Sequence, residues 1–341
     1  MTKVFDIAII GAGLAGLTAA QMLKKAGYST IVLEKSRGVG GRCATRRISG
    51  SRVDHGARYL ETTGEKTQYL IEQLKTANLL ERWTDTIYEF RNDRLQPLLA
   101  QPCYTLPNGM NSIGKFLAEG LEIWCNRRVQ ILTPTSDKNW HLTLEITHRT
   151  ATENPQEVEA KAVVIAIPAP QALMLLESLT SQLPSNFIEQ VRSVEYDACI
   201  TVMAGYSEAA LNSQNFPRKA VKFPEDKSLA WVGLDSSKRL NPPQPILVIQ
   251  SSAQFAQEYL DVPDLQPVGE MLLKSVANLF SLGDSEWMQV HRWRYAFCRK
   301  PLTALNLSTT IPLPLVCVGD WCGGNNIEGA LKSGTTAIDQ I

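Results

Sequence analysis

Histidine is scarce in this chain. There are four in 341 residues, at 55, 141, 148 and 291, too far apart in sequence to form a metal-ligand cluster. Net charge is also absent: 34 basic residues balance 34 acidic ones, so no global field draws the protein to nucleic acid or to anionic lipid. No apolar run is long enough to span a bilayer. The seven cysteines, at 43, 103, 125, 199, 298, 317 and 322, are odd in number and include no CxxC pair. That pattern suits reduced thiols in a cytoplasm rather than a disulfide framework. The first strand-like run starts almost at once, which leaves no room for a signal peptide. No internal repeat, low-complexity tract, catalytic dyad or metal cluster stands out, and the length suits two domains or one large elaborated one.

The first forty-two residues carry a pattern. The run Val4-Phe5-Asp6-Ile7-Ala8-Ile9-Ile10 leads into Gly11-Ala12-Gly13-Leu14-Ala15-Gly16. A helical segment over 14–26 follows, with Leu14, Leu17, Ala20 and Leu23 on one face and Gly27 as its stop. The second apolar run, Ser29–Leu33, ends at Glu34, with Lys35 beside it. Each part meets a demand of holding a dinucleotide. Gly11 permits a tight turn, Gly13 lets backbone approach a pyrophosphate, and Gly16 lets the helix pack closely on a sheet. The helix N-terminus presents unpaired N–H groups to the phosphates. Glu34 is placed to accept both hydroxyls of an adenosine ribose, and its charge argues against a 2′-phosphate. Gly40-Gly41-Arg42 adds close backbone approach and a fixed positive charge.

Further along, residues 36–60 read as a long cofactor-contacting loop and 65–82 as an amphipathic helix. Short strands are expected near 86–90 and Leu95, and Pro107-Asn108-Gly109 marks a turn. A helix over 112–118 and strands at 121–124 and 128–132 follow, and Val129 is expected to offer its backbone to the adenine edge. Residues 140–148 pair as a hairpin with 158–160 across a polar loop. Residues 162–167 are apolar throughout, as in a strand buried on both faces of a parallel sheet. Helices are expected at 185–192 and 265–280, and strands at 198–206, 229–234 and 246–252.

At the C-terminus a strand ends in Gly319-Asp320, and Glu328-Gly329-Ala330 opens the last helix. A strand-end aspartate can hold a chain of hydroxyls, and a helix start can stabilise negative charge on a ring. An N-capped final helix with no ligand explains the same residues. Paired with the N-terminal dinucleotide site, the motif points to FAD rather than NAD: Asp320 for the ribityl chain, residues 328–330 for the pyrimidine end of the isoalloxazine. The expected fold class is α/β. Residues 1–62, 105–172 and 290–341 form a discontinuous FAD-binding Rossmann-like domain. Residues 63–104 and 173–289 form an inserted α+β substrate domain on a mixed, largely antiparallel sheet.

The segment Gly11 to Arg42 resembles the flavin-containing amine oxidase superfamily. Six later motifs narrow the resemblance to renalases: Val53-Asp54-His55-Gly56-Ala57-Arg58-Tyr59, Pro107-Asn108-Gly109-Met110, Val163 to Pro170, Trp231 to Arg239, His291-Arg292-Trp293-Arg294-Tyr295, and Gly319-Asp320. The Asn325–Ala330 ending looks like the bacterial branch, and the resemblance spans essentially the whole chain. It implies a p-hydroxybenzoate-hydroxylase-like fold and non-covalent FAD. The implied reaction oxidises dihydronicotinamide isomers of NAD(P)H, the 2-dihydro and in some members the 6-dihydro form. Hydride goes to flavin N5, and dioxygen reoxidises the flavin to give hydrogen peroxide.

Such a substrate becomes aromatic when it gives up hydride, so the lack of a general base in the sequence is consistent with it. Tyr59 is expected near the substrate face or else as a packing tyrosine. Alternation puts His291, Trp293 and Tyr295 on one strand face and Arg292 and Arg294 on the other. Trp293 either shapes the pocket or packs in the core, while an arginine such as Arg294 meets substrate phosphate or carboxamide. Trp321 is expected to cover the ring edge, and Lys238-Arg239 to be a solvated loop pair or a phosphate contact. Cys298 lacks the surroundings of a flavin-tethering cysteine. Three other readings stay open: an amine or polyamine oxidase, a carotenoid-type desaturase, and a non-catalytic FAD-binding protein.

Overall fold

The N-terminal pattern folds as strand β1 (Val4–Ile10), helix α1 (Leu14–Lys25) and strand β2 (Thr30–Leu33). They belong to a computed structural model that describes residues 4–98, 101–148, 156–211, 216 and 219–341. Helix α1 ends where glycine allows it to: Gly27 takes a φ of 94°, and Tyr28 N–H donates to the Leu23 carbonyl at 3.2 Å. This closure across six residues satisfies a carbonyl the helix would otherwise leave open. Among the described residues, no helix is long and apolar enough to cross a membrane.

The chain divides into two units, 1–41 with 113–195 and 298–341, and 42–112 with 196–297. In the first unit, β2, β1, the Glu157–Ile165 strand and the Leu315–Cys317 strand lie side by side and parallel. Ile123–Trp124 extends the parallel edge beyond β2, and the Trp140–Ile146 and Arg127–Pro134 strands add an antiparallel pair on the other side. Ile7, Ile9, Val164 and Val316 are buried with Leu17, Ala20 and Leu23 of α1 in one core. Burial on both faces is what lets residues 7–10, 31–33 and 162–165 of these strands be apolar without a break. The C-terminal helix, Ile327–Thr335, crosses α1 at Gly334, where a Cβ would stand 2.5 Å from the Ala15 carbonyl oxygen.

The second unit is built on a seven-stranded sheet, in the order Trp287–Lys300, Glu195–Gly205, Ile246–Ser251, Leu229–Leu234, Ala220–Lys222, Tyr88–Arg91, Arg94–Pro97. The Ala220–Lys222 strand runs parallel to Tyr88–Arg91, which makes the sheet mixed. The other described pairings are antiparallel. Helix Gln266–Phe280 places Val268, Leu272, Val276 and Phe280 in the same core as Val202, Leu247 and Ile249, at the four-residue spacing of one helix face.

Two expectations are corrected. Residues 36–60 are not all loop: Thr45–Ile48 and Ser51–Asp54 form a hairpin about Ser49 and Gly50, both at positive φ, as a two-residue turn requires. The helix expected over 65–82 stops at Thr76, because Asn78 turns left-handed (φ 55°) and Leu79 N–H closes on the Leu74 carbonyl. Glu81–Thr84 is then a strand. The two units also divide the chain elsewhere than the expected domains, with 42–62, 105–112 and 290–297 in the second unit and 173–195 in the first. The hairpin explains the first shift, since Ile48 and Val53 are buried with Met203, Ile246 and Val248. The polar loop at 149–155 lies outside the described residues.

Candidate active site

Because β2, β1, Glu157–Ile165 and Leu315–Cys317 run the same way, their carboxyl ends share one edge of the sheet, carrying Glu34, Gly11, Ala166 and Asp320. That edge is where open α/β sheets bind ligands. Gly11 has a φ of 105°, and a Cβ there would lie 2.7 Å from the Ala166 carbonyl oxygen. At Gly16 a Cβ would lie 2.1 Å from the Gly11 oxygen. Gly13 differs, for a Cβ there would meet no protein atom within 4 Å. Gly13 is also the N-cap of α1, and no side chain caps that helix. The uncapped first-turn N–H groups and the open space before them fit a pyrophosphate.

The Gly40–Gly41 loop folds onto this turn. Gly40 N–H donates to the Ala12 carbonyl at 2.8 Å, and a Cβ on Gly41 would come within 3.1 Å of Gly13 Cα. Glu34 is buried, and its carboxylate accepts from Ala12 N–H and from Ser36 N–H, both at 2.8 Å. A carboxylate has lone pairs beyond those two for ribose hydroxyls. Lys35 Nζ donates to Gln171 Oε1 at 3.3 Å. Arg127 N–H donates to the Glu34 carbonyl, tying the start of the Val129 strand to the end of β2. The pairing slips between Val129 and Ile131, a bulge at Gln130.

At the other end of the chain, Asp320 is buried and Gly319 N–H donates to Ser333 Oγ at 2.9 Å. Trp321, expected at a ring edge, is fully buried, packs over Gly319 and donates from Nε1 to the Ile167 carbonyl at 3.1 Å. The last helix is N-capped by Asn326, whose Oδ1 accepts from Gly329 N–H at 2.9 Å. Ala330 N–H closes on the Asn326 carbonyl, Gly329 packs against Gly324, and Glu328 pairs with Lys332 at 3.2 Å.

The second unit holds Arg42 and the three residues expected near substrate. Arg42 donates from Nη1 to the Ala296 carbonyl at 3.1 Å and lies 6.0 Å from the Tyr196 ring. Tyr59, Trp293 and Arg294 fall in three neighbourhoods. Tyr59 is buried against Trp83 and Trp231, with ring centroids 6.1 and 5.7 Å away, and its hydroxyl donates to Glu61 at 2.9 Å. Trp293 stacks on His55, contacts His291 at 4.5 Å and donates from Nε1 to the His55 carbonyl. A Cβ on Gly56 would strike the Arg42 carbonyl oxygen and press on the Trp293 ring, so glycine is required there. Arg294 forms an exposed ion pair with Asp261 and takes no part in either aromatic group.

Burial, then the neighbouring His291 and Arg46, push the His55 imidazole down to about 3. Burial and Arg46 push His291 down to about 4. Both rings are therefore neutral near pH 7. Among the described residues, no three His, Cys, Asp or Glu side chains are grouped to hold a metal.

Lys238 and Arg239 are not solvated. They are buried with Asp54 and Asp235 in an ion quartet: Lys238–Asp235 2.7 Å, Lys238–Asp54 3.5 Å, Arg239–Asp54 2.8 Å, Arg239–Asp235 3.0 Å. Burial alone would raise the Asp54 carboxyl, but Lys238 and Arg239 together hold it below its usual range. For Asp235 burial prevails over Lys238 and the carboxyl is raised. Asp54 also accepts from Thr45 Oγ1 and Met110 N–H, which fastens the 107–110 turn to the hairpin. The quartet borders the Tyr59 group, with Lys238 Nζ 5.2 Å from the Trp83 ring and Trp83 Nε1 donating to Ser237 Oγ. Sequence reading missed Trp83, Arg58 and Gln250. Arg58 stood inside a quoted motif, but nothing in the sequence showed its contacts.

Residues 97–341 match the model of the flavin containing amine oxidoreductase family, and residues 9–74 match an NAD(P)-binding Rossmann-like domain. A renalase from Mus musculus is 21% identical over 351 aligned positions, covering 97% of each chain. Two solved structures share the fold over 99% of both chains. One is a putative protoporphyrinogen oxidase from Exiguobacterium sp. 255-15 (TM-score 0.72, 12% identity). The other is a putrescine oxidase bound to putrescine (TM-score 0.71, 15% identity). The chain therefore belongs to the flavin containing amine oxidoreductase family, as a renalase-like member whose cofactor is FAD held without a covalent bond.

Proposed function

We propose that this protein is an FAD-dependent oxidase of dihydronicotinamide isomers of NAD(P)H, the 2-dihydro form and also the 6-dihydro form, with dioxygen as the final electron acceptor. When bound, FAD would supply the two-electron chemistry that links oxidation of the substrate ring to reduction of dioxygen. The first unit's residues hold it. Glu34 binds the adenosine ribose with Lys35 beside it, and Val129 offers its backbone to adenine. Gly11, Gly13, Gly16 and Gly41, with the α1 N-terminus, receive the pyrophosphate. Gly319 and Asp320 take the ribityl chain, and Glu328, Gly329 and Ala330 stand at the ring's pyrimidine end.

The observation that carries the choice of substrate is the His55–His291–Trp293 assembly beside Arg46, with His55 buried, the other two rings half-buried, and burial and nearby charge pushing both imidazoles down to about 3 and 4. An alkylammonium, with a pKa of about 10, must lose a proton before it can give up hydride, and imidazoles this weakly basic are poor acceptors. Two further acid–base groups of the second unit are engaged: Glu61 accepts the Tyr59 hydroxyl, and Lys238 is locked in the ion quartet. A dihydropyridine needs no base, because oxidation itself makes the ring aromatic. The chain's task is then to hold the ring at near-attack distance, which an aromatic side chain such as the buried Tyr59 or the half-buried Trp293 suits.

The test is anaerobic rapid mixing of the oxidised holoenzyme with 2-dihydro-NAD, 6-dihydro-NAD, putrescine and benzylamine, following the visible flavin band. Bleaching by a dihydronicotinamide within one turnover and none by the amines is the expected result. Fast bleaching by an amine alone would assign the protein to the amine oxidases.

A further inference from the structure

Arg58 is the half-buried cation of the Tyr59 group. Its guanidinium lies 4.7 Å from the Trp231 ring centroid and 5.9 Å from that of Phe297, which is itself 45% exposed. Its Nε donates to Gln250 Oε1 at 2.6 Å. Gln250 is 3% exposed and is fixed in turn by donating from Nε2 to the Gly56 carbonyl at 2.8 Å. The orientation of the guanidinium is therefore set by a buried amide and two aromatic faces. Among the described residues, no carboxylate stands within ion-pair distance of it. This contrasts with the neighbouring Lys238 and Arg239, each of which has two carboxylate partners.

A half-buried guanidinium without a counter-ion is costly unless something completes it. Nε is satisfied, which leaves the outer face of the fork, with its fixed planar geometry for an oxygen acceptor. The aromatic setting restricts what can arrive. An oxygen that reaches Arg58 beside the exposed Phe297 ring is best carried on a flat ring.

We propose that Arg58 is a specificity-determining residue of this second unit, binding the carbonyl or carboxylate oxygen on a planar substrate ring and repelling ammonium groups. The inference deepens the dihydronicotinamide reading and rests on it for the name of the ring. Arg58 would hold the carboxamide oxygen, with Gln250 as the positioning residue behind it. Its positive charge also adds a reason, independent of acid–base strength, why a cationic amine is a poor substrate.

The test uses ligands that do not turn over, so that it stands apart from the reaction. The FAD-loaded protein is titrated calorimetrically with nicotinate, nicotinamide and benzylamine, in wild type and in Arg58→Met and Arg58→Lys. Wild type is expected to bind nicotinate more tightly than nicotinamide and benzylamine least. Arg58→Met should weaken nicotinate by about tenfold or more, as loss of a charge-assisted hydrogen bond does, and should narrow the discrimination against benzylamine. Arg58→Lys, which keeps the charge but not the fork, should recover part of the nicotinate affinity. Flavin content equal to wild type identifies the variants that have folded. Equal nicotinate affinity in wild type and Arg58→Met, or no nicotinate binding by wild type, overturns the assignment. If nicotinate binds through Arg58 but no dihydronicotinamide bleaches the flavin, the ring-oxygen site stands and the proposed reaction falls.

Discussion

Replacing Arg239 with methionine tests the ion quartet. Methionine keeps much of the side-chain volume and removes the charge. In the native protein the guanidinium bridges Asp54 at 2.8 Å and Asp235 at 3.0 Å, with its side chain 6% exposed, and it also donates to the Arg52 and Leu106 carbonyls. Without it, two buried carboxylates share the single ammonium of Lys238. Removing one partner from a buried ion pair costs about 3–5 kcal/mol. In a unit of this size each kcal/mol lowers the melting temperature by about 2–4 °C, so a drop of roughly 6–20 °C follows.

The pH dependence has a definite sign. With Arg239 gone, the carboxylates lose one of the two cations that oppose the effect of burial, and the folded-state pKa of the pair rises above the unfolded value. A raised carboxyl contributes stability that falls as pH rises, so the deficit of the variant should be smaller at pH 5 than at pH 7. Scanning calorimetry of the holoenzyme at both pH values measures it. A fall of under about 2 °C at pH 7, or a deficit that grows on acidification, would show that the quartet contributes little to the fold.

Other perturbations separate the parts of the account. Glu34→Ala removes the acceptor for Ala12 and Ser36 N–H as well as the proposed ribose ligand, and should weaken FAD binding by about 10–100-fold, one or two charge-assisted bonds' worth. Wild-type flavin content would place the ribose elsewhere. Gly16→Val puts a Cβ where only 2.1 Å separates it from the Gly11 oxygen, so the variant should not take up FAD at all, as judged by flavin content after reconstitution. For His55 and His291 the folded-state pKa is depressed, so their stabilising contribution is full above the unfolded value of about 6.5 and is lost as pH falls from there toward 4 and below. His291→Gln should flatten that acid limb by up to about 1.4 kcal/mol per pH unit in urea unfolding, and an unchanged slope would mean that the ring is not held neutral.

The first forty residues were legible because each element is determined locally. β1 and β2 are apolar at the positions a doubly covered strand needs, and Gly11, Gly16 and Gly27 stand where a side chain would collide or a positive φ is required. The hairpin at 45–54 was hidden because only Ile48 and Val53 are large and apolar among its eight strand residues, while arginines fill the exposed positions. The over-long helix came from reading Leu79 and Leu80 as a continuation of the apolar face. One asparagine in the left-handed region ended it, which hydrophobic periodicity does not register. The ion quartet was out of reach for a different reason. Asp54 and Asp235 are 181 positions apart, and charged pairs in a sequence read as surface until the fold brings their counter-ions to them. Trp321 and Arg294 show the converse: a motif residue can be core, or can be a surface ion pair, without any sign in its neighbours.

The most direct measurement is titration of the purified apoprotein with FAD, followed by denaturation and separation of flavin from polypeptide. Saturation at one FAD per chain, with all of the flavin released into solution, is the predicted result. A polypeptide that takes up no FAD would contradict a cofactor cradle built from Gly13, Glu34 and Asp320, and flavin retained after denaturation would contradict its non-covalent attachment.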